Sequence, residues 1–241
     1  MSDFGIIVFG HTRPLYIIDV LKSLKKQRAL KYVHVWLDGH QGKPELKDKV
    51  DLVYDAVSKF PVAKVYKHNG QLGFRKMMLL ALSEAVHQFD SFVVLEDDCF
   101  PTKDAIQIFR DELNIIKKQE DIFSVYGHPF LTESEGTYCD RFQGWGWATT
   151  SEKMKPLLEQ LIDCYSLTEE RYLEFVEKAL TDDVISRIDI TPPRNPTHTL
   201  TKFFAWDETL GLLAALNGMK HKKTSQRVIY NFGACQDSSR F

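Results

Sequence analysis

No apolar run in the chain is long enough to span a bilayer. Phe4, Gly5, Ile6, Ile7, Val8 and Phe9 form a short apolar stretch without a basic leader or a small-residue cleavage site, so it reads as a buried strand. Cysteine is scarce: Cys99, Cys139, Cys164 and Cys235 stand alone, without CxxC spacing. That excludes a zinc knuckle, offers no disulfide framework, and makes a reducing cytoplasm the expected compartment. Excess charge is missing too. A formal net charge of -2 lacks the basic footprint of a protein that tracks nucleic acid, so no nucleic-acid partner is expected. There is no HxxxH pair, no P-loop and no Gly-x-Ser-x-Gly elbow, and no repeat or low-complexity tract interrupts the half up to about Tyr126.

What remains is a chain of 241 residues, 44% hydrophobic, sufficient for a single domain with one substantial core. From Phe4 to about Tyr126, short β-branched runs alternate with longer amphipathic ones, the pattern of βαβ units and a mainly parallel sheet. Strands are predicted at Phe4 to Phe9, Tyr32 to Leu37, Val62 to Tyr66, Phe92 to Leu95 and Ile122 to Tyr126. Thr12 is the expected cap of a first helix carrying Pro14, with Leu15, Ile18, Leu21 and Leu24 as its apolar face. A second helix uses Leu46, Val50, Val53, Val57 and Phe60, and a third, from Phe74, buries Met77, Leu80, Ala81 and Ala85. Thr102 is expected to cap a fourth, faced by Ile106, Phe109, Leu113 and Ile116.

Beyond Gly127 the alternation loosens. Helical periodicity returns from Met154 to Leu161. The Thr191 to Pro196 segment cannot sustain a helix, Trp206 to Asn217 forms a strong one stopped by Gly218, and Val228 to Phe232 resembles a last strand. Lys220, His221, Lys222 and Lys223 read as a solvated basic face, with peripheral contact to anionic lipid as the alternative.

In an open parallel sheet, ligands bind beyond the carboxyl ends of the strands. The residues there are Gly10 to Arg13 after the first strand, Asp38 and Gly39 after the second, Asn69, Gly70 and further on Arg75 after the third, and Glu96, Asp97 and Asp98 after the fourth. Three carboxylates closing a buried strand repel one another unless a cation joins them. Mn2+ or Mg2+ suits such oxygen donors and fills its shell with water and phosphate oxygens, which a nucleoside diphosphate supplies. Solvated acids at a strand-to-helix turn are the plainer alternative. Arg13, before Pro14 at a helix start, is placed to receive phosphate; it also reads as a surface arginine. Asp38 could accept from a base imide or a ribose hydroxyl, although Asp-Gly is a common turn. Trp145 and Trp147, set among glycines, offer faces for a sugar ring, with at least one of them equally suited to the core. Asp207 and Glu208 open a helix, where acids are ordinary because they complement its dipole.

Taken in order, IIVFGHTRP, VHVWLDG, NGQLGFR, VVLEDDCFP, GWGWATT and FAWDETLG resemble the GT-A glycosyltransferases, in particular the inverting N-acetylglucosaminyltransferase I-like group and its bacterial relatives. The resemblance runs from about Ile6 to Phe232. It implies an α/β, Rossmann-like GT-A fold with a mostly parallel central sheet and a smaller acceptor-side region. Residues 1–126 would form the nucleotide-sugar half, and residues 127–241 the acceptor half with a mobile tail. Asp98 would be the metal ligand, Glu96 and Asp97 the contacts to the donor's sugar and ribose, and Arg13 the phosphate arginine. Asp38 would recognise the base, Arg75 would touch the nucleoside, and Asp207 would be the catalytic base, with Trp145, Trp147 and Glu208 on the substrate. The implied partners are a UDP-sugar donor and a saccharide or lipid-linked saccharide acceptor. The chain departs from the family in carrying Glu208 where a second aspartate is common. A sugar-nucleotide pyrophosphorylase and a catalytically silent carbohydrate-binding protein are the competing readings. The segment from Gly127 to Asp140 and the tail after Gly233 are the expected lids over bound donor.

Overall fold

The computed structural model describes residues 2–40, 42–129, 138–188, 200 and 202–233. The elements run β1 (Ser2–Gly10), α1 (Pro14–Lys26), β2 (Val33–Leu37), α2 (Lys47–Val57), β3 (Lys64–Lys67), α3 (Phe74–Gln88), β4 (Phe89–Leu95), β5 (Cys99–Pro101), α4 (Ala105–Ile116) and β6 (Ile122–Tyr126). There follow β7 (Tyr138–Cys139), β8 (Trp147–Thr150), α5 (Ser151–Ser166), α6 (Glu169–Ala179), α7 (Asp182–Ile188), α8 (Trp206–Leu216), β9 (Lys220–Lys223) and β10 (Ile229–Asn231). The expected linker from Thr191 to Pro196, most of the segment from Gly127 to Asp140, Cys235 and the tail beyond Gly233 lie outside the described residues.

One eight-stranded sheet, in the order β3-β2-β1-β4-β8-β6-β9-β7, carries the α/β architecture. β3, β2, β1 and β4 run parallel, β8 lies antiparallel between β4 and β6, β9 is parallel to β6, and β7 closes the edge antiparallel to β9. Side chains of a strand alternate between faces, and both faces here are covered. Ile6 and Val8 of β1 join Val93 and Leu95 of β4 against α1, α2 and α4. Ile7 and Phe9 join Phe92 and Val94 against α3, α5 and α8. That two-sided burial is why these strands read as continuous apolar runs.

Several expectations shift. Arg13, not Thr12, sits at the N-cap of α1, and no side chain caps it. Its buried face is Ile17, Val20, Leu21 and Leu24, whereas Leu15 is 74% exposed. The helix packs against α2 on one side and β5 on the other, which turns its face by a residue or two. Leu80 of α3 is exposed too, with Met78 and Leu82 taking its place inside, because this helix packs on α5, β4 and β1. Asp104 rather than Thr102 is the N-cap of α4. The last predicted strand leaves the main sheet and pairs with β5 as a separate antiparallel ribbon.

The largest correction concerns Lys220 to Lys223. This run is β9, an interior strand between β6 and β7, with His221, Lys222 and Lys223 buried. Lys222 Nζ pairs with Glu112 Oε2 at 2.5 Å, both side chains enclosed, and His221 Nδ1 bonds to Ser124 Oγ at 2.8 Å. Charges in such a place must be paired, so three of the four side chains turn inward and only Lys220 stays exposed. Among the described residues no helix is long and apolar enough to cross one.

Burial pushes the His221 imidazole down to about 3, against about 6.5 in an unfolded chain. On acidification the unfolded state therefore takes the proton first. The contribution is whole above about pH 6.5 and is lost as pH falls toward 3, by about 1.4 kcal/mol per pH unit. We expect His221→Gln to lose about 2 kcal/mol less stability than the wild type between pH 7 and pH 5, measured by urea unfolding at each pH. Parallel losses in the two proteins would contradict this assignment.

Candidate functional site

Parallel pairing of β3, β2, β1 and β4 brings their carboxyl ends to one edge, and the register Val8↔Leu95 and Gly10↔Leu37 places three loop starts side by side. The acidic turn after β4 is held there by Arg13. Its guanidinium forks onto Asp97, through Nη2 to Oδ1 and through Nε to Oδ2 at 3.3 Å, and reaches Asp98 Oδ2 through Nη1 at 3.0 Å. Burial works against the arginine's charge, but Asp97 and then Asp98 outweigh it and hold Arg13 more firmly protonated. Arginine suits this task because its planar fork meets a carboxylate with two donors at once.

One cation against three carboxylates leaves negative charge uncompensated. Burial, followed by the charges of Asp98, Asp97 and Asp207, pushes Glu96 well above the usual carboxylate range. Burial likewise pushes Asp97 up to about 6, against the pull of Arg13. A set of hard oxygen donors with surplus negative charge fits a divalent cation, which commonly takes one or two carboxylates and fills its shell with phosphate oxygens and water. Among the described residues no ready-made cluster of three or more metal-binding side chains exists.

Among the described residues, two pockets open at the carboxyl edge. The first, about 330 Å3, has an apolar floor of Phe9, Phe74 and Met77 and a polar rim of His11, Asp38, Glu96 and Asp97. Asp38 is buried and its carboxylate is already engaged: Oδ1 accepts from the Gly39 and Leu72 amides at 2.9 and 2.7 Å, and Oδ2 from Gly73 at 3.0 Å. It thus fastens the loop before α3 to the end of β2 and shapes the rim. Burial lowers the His11 pKa despite the neighbouring Asp38, favouring the neutral ring.

The second pocket, about 520 Å3, is lined by Arg141, Gln143, Gly144, Trp145, Asp207 and Glu208 among others. Asp207 lies in the first turn of α8. Burial raises its pKa, resisted by the backbone amides of Asp207 and Glu208 and by Arg141. A Cβ on Gly144 would stand 3.2 Å from the Asp207 Cβ and from the Trp206 ring, so a residue without one lets the loop approach the helix start. Phe74 of the first pocket meets Trp206 edge-to-face at 6.0 Å. The two pockets are neighbours, close enough for Asp207 to weigh on Glu96.

The structure therefore brings together Arg13, Asp38, Glu96, Asp97, Asp98, Trp145, Asp207 and Glu208. Trp147 is corrected: it is 0% exposed and packs among Phe92, Phe123, Phe142 and Trp206. Its face meets core side chains, a placement whose truncation costs about 3–5 kcal/mol. Arg75 is exposed on α3 with its guanidinium 4.8 Å from the Tyr165 ring centre, and it lines neither pocket. Glu208 lies 3.8 Å from Arg141 and 4.0 Å from Lys202.

Sequence reasoning missed the C-terminal brace. Asn231 donates to Asp98 Oδ1 at 3.4 Å, the Phe232 amide donates to the Asp98 carbonyl at 3.0 Å, and a Cβ on Gly233 would fall 2.1 Å from Asp98 Oδ2. A larger residue there would have to displace the Asp98 carboxylate. No local pattern could signal a contact spanning more than half the chain. We expect Asp38→Ala, which strands three backbone amides, to destabilise the fold by about 2–4 kcal/mol in chemical denaturation. A change below about 0.5 kcal/mol would mean the loop does not depend on this carboxylate.

No family model matches the sequence, and neither does any curated protein. Solved structures match in fold. S. aureus TarS aligns with a TM-score of 0.55 at 16% identity, over 95% of this chain and 36% of that one. The 1-349 portion of S. aureus TarS in complex with UDP-GlcNAc aligns with a TM-score of 0.52 at 15% identity, over 95% of this chain and 58% of that one. A 4-diphosphocytidyl-2C-methyl-D-erythritol synthase from Anaerococcus prevotii aligns with a TM-score of 0.47 at 10% identity, covering 73% and 83%. The chain spans about a third of that TarS chain. At these identities the likeness concerns fold alone: a GT-A, Rossmann-like α/β sheet flanked by helices.

Proposed function

We propose that this chain is a glycosyltransferase that moves a sugar from a nucleoside-diphosphate donor, UDP in the simplest case, to a hydroxyl of a saccharide or lipid-linked saccharide. One observation carries the reading: the Glu96-Asp97-Asp98 turn, gripped by Arg13 at the ends of parallel strands, stands beside a helix-start carboxylate, Asp207, whose charge reaches it. TarS, the neighbour of like fold, has been captured with UDP-GlcNAc, and a donor of that class supports the same use of this edge. The apolar floor of the first pocket suits a nucleobase, and its rim suits ribose and phosphate.

In this role Asp98, with Asp97 beside it, would hold Mn2+ or Mg2+, and the cation would supply Lewis-acid neutralisation of the diphosphate's charge. Arg13 adds a second positive centre for the leaving group. Asp207 accepts the proton of the acceptor hydroxyl as its oxygen attacks the anomeric carbon. The bond from that carbon to the diphosphate oxygen breaks, and the nucleoside diphosphate departs with the electron pair. Attack opposite the leaving group inverts the anomeric centre. Trp145 offers its half-exposed ring to the acceptor sugar, and Glu208 its carboxylate to a hydroxyl. A pyrophosphorylase would need a long glycine- and base-rich loop after β1, whereas α1 begins immediately after Gly10, His11, Thr12 and Arg13.

Thermal shift tests the donor class: UDP with Mn2+ should raise Tm, as any ligand of the native state does. Asp98→Asn should abolish the metal-dependent part of that rise. No shift with any nucleotide of a panel would exclude the proposal. Asp207→Asn should keep donor binding and lose about 10²–10⁴-fold in kcat. Because the base must be deprotonated and burial raises its pKa, kcat/KM should fall on acidification at a pH above about 4, the ordinary aspartate value. A variant with near-normal turnover would remove Asp207 from the role.

A further inference from the structure

A second charged site lies at the other end of the sheet. Phe4 lies in the first half of β1 and Tyr32 precedes β2, so the groove beside them sits toward the amino ends of the strands whose carboxyl ends carry the acidic turn. This groove, about 720 Å3, is lined by Arg28, Lys31, Lys103 and Arg110, with Asp104 as its acid. Asp104 approaches Lys103 at 3.9 Å, and among the described residues no carboxylate pairs with Arg28, Lys31 or Arg110. Four cations share one concavity in a protein whose net charge is -2. Their mutual repulsion is relieved by an anion.

The walls are built rather than incidental. Gln27 donates from Nε2 to Ser23 Oγ at 3.2 Å and accepts the Ile106 amide at 3.0 Å, locking the end of α1 to the start of α4. Arg110 is clamped with its guanidinium 4.1 Å from the Phe4 ring centre and 4.8 Å from that of Tyr32. Its Nη2 is buried without a hydrogen-bond partner. Aromatic rings orient the fork but accept no conventional hydrogen bond from it.

Arg28 supplies an independent observation. At φ 56 it is the single described non-glycine residue with positive φ. It follows the C-cap of α1, where Ala29 N bonds to Leu24 O and Arg28 N to Lys25 O. Glycine fills that left-handed position without steric penalty. An arginine held there against its backbone preference adds another cation to the groove lining, at a cost that a glycine would not carry.

We propose that this groove is a binding site for a phosphate-bearing ligand, separate from the catalytic edge and independent of the glycosyltransferase reading. Guanidinium forks and ammonium groups match phosphate oxygens. The phosphate belongs either to a small soluble molecule or to a phospholipid headgroup, and experiment separates the two. Calorimetric titration with pyrophosphate in EDTA, which removes the divalent cation from the other edge, should show binding that weakens with salt. Arg110→Met should weaken it about tenfold or more.

Arg28→Gly gives the sharper test: it should raise Tm slightly or leave it unchanged while weakening binding, opposite directions that general destabilisation cannot produce. Flotation with phosphatidylglycerol vesicles forms the second arm, and vesicle binding lost in both variants without pyrophosphate binding assigns a lipid headgroup. Absence of both kinds of binding, or binding unaltered by both substitutions, overturns the site.

Discussion

Three carboxylates at the end of one buried strand cannot stand together without a positive charge, and Arg13 provides the part of it that the chain itself carries. Asp97 and Asp98 both close on its guanidinium. Glu96, buried and then left with the surplus, is displaced toward its protonated form. The rest of the edge is arranged around this imbalance. β1 and β2 deliver His11, Arg13 and Asp38 beside the turn, and α8 delivers Asp207. The C-terminal ribbon lays Asn231 and Gly233 against Asp98. The turn is thus braced from both ends of the chain, which fixes the direction of its carboxylates more tightly than a surface loop could.

Polar groups buried away from this edge have a different task. Lys222 with Glu112, and His221 with Ser124, tie β9 to α4 and β6 inside the molecule. A buried ion pair adds little net stability over an apolar pair of similar volume, but a register in which either partner is left alone is strongly disfavoured. Such pairs select one alignment of a short strand whose sequence would otherwise not specify it. They also separate the charges of the protein by position. The acids that remain open to ligand gather at the carboxyl ends of the strands, and unpaired cations at the amino ends.

Sequence alone determined the parallel half of the sheet and which charged residues gather at its carboxyl edge. The uninterrupted apolar runs of Ile6 to Phe9 and Val93 to Leu95 make them strands covered on both sides. The acidic turn, Arg13 and Asp207 were legible because unusual charge stands next to apolar elements. Those signals are local, arising from residues that are neighbours in the chain. Tertiary structure decided everything that depends on which face an element shows to others. Leu15 and Leu80 point outward because α1 and α3 are rotated by their partners, and Trp147 is core while Trp145 lines a pocket although they differ by two residues. Four consecutive basic and histidine residues, solvated by any local criterion, become an interior strand because Glu112 and Ser124 wait for them from α4 and β6. Whether a charge is buried depends on the partner that meets it, and that partner lies a hundred residues away.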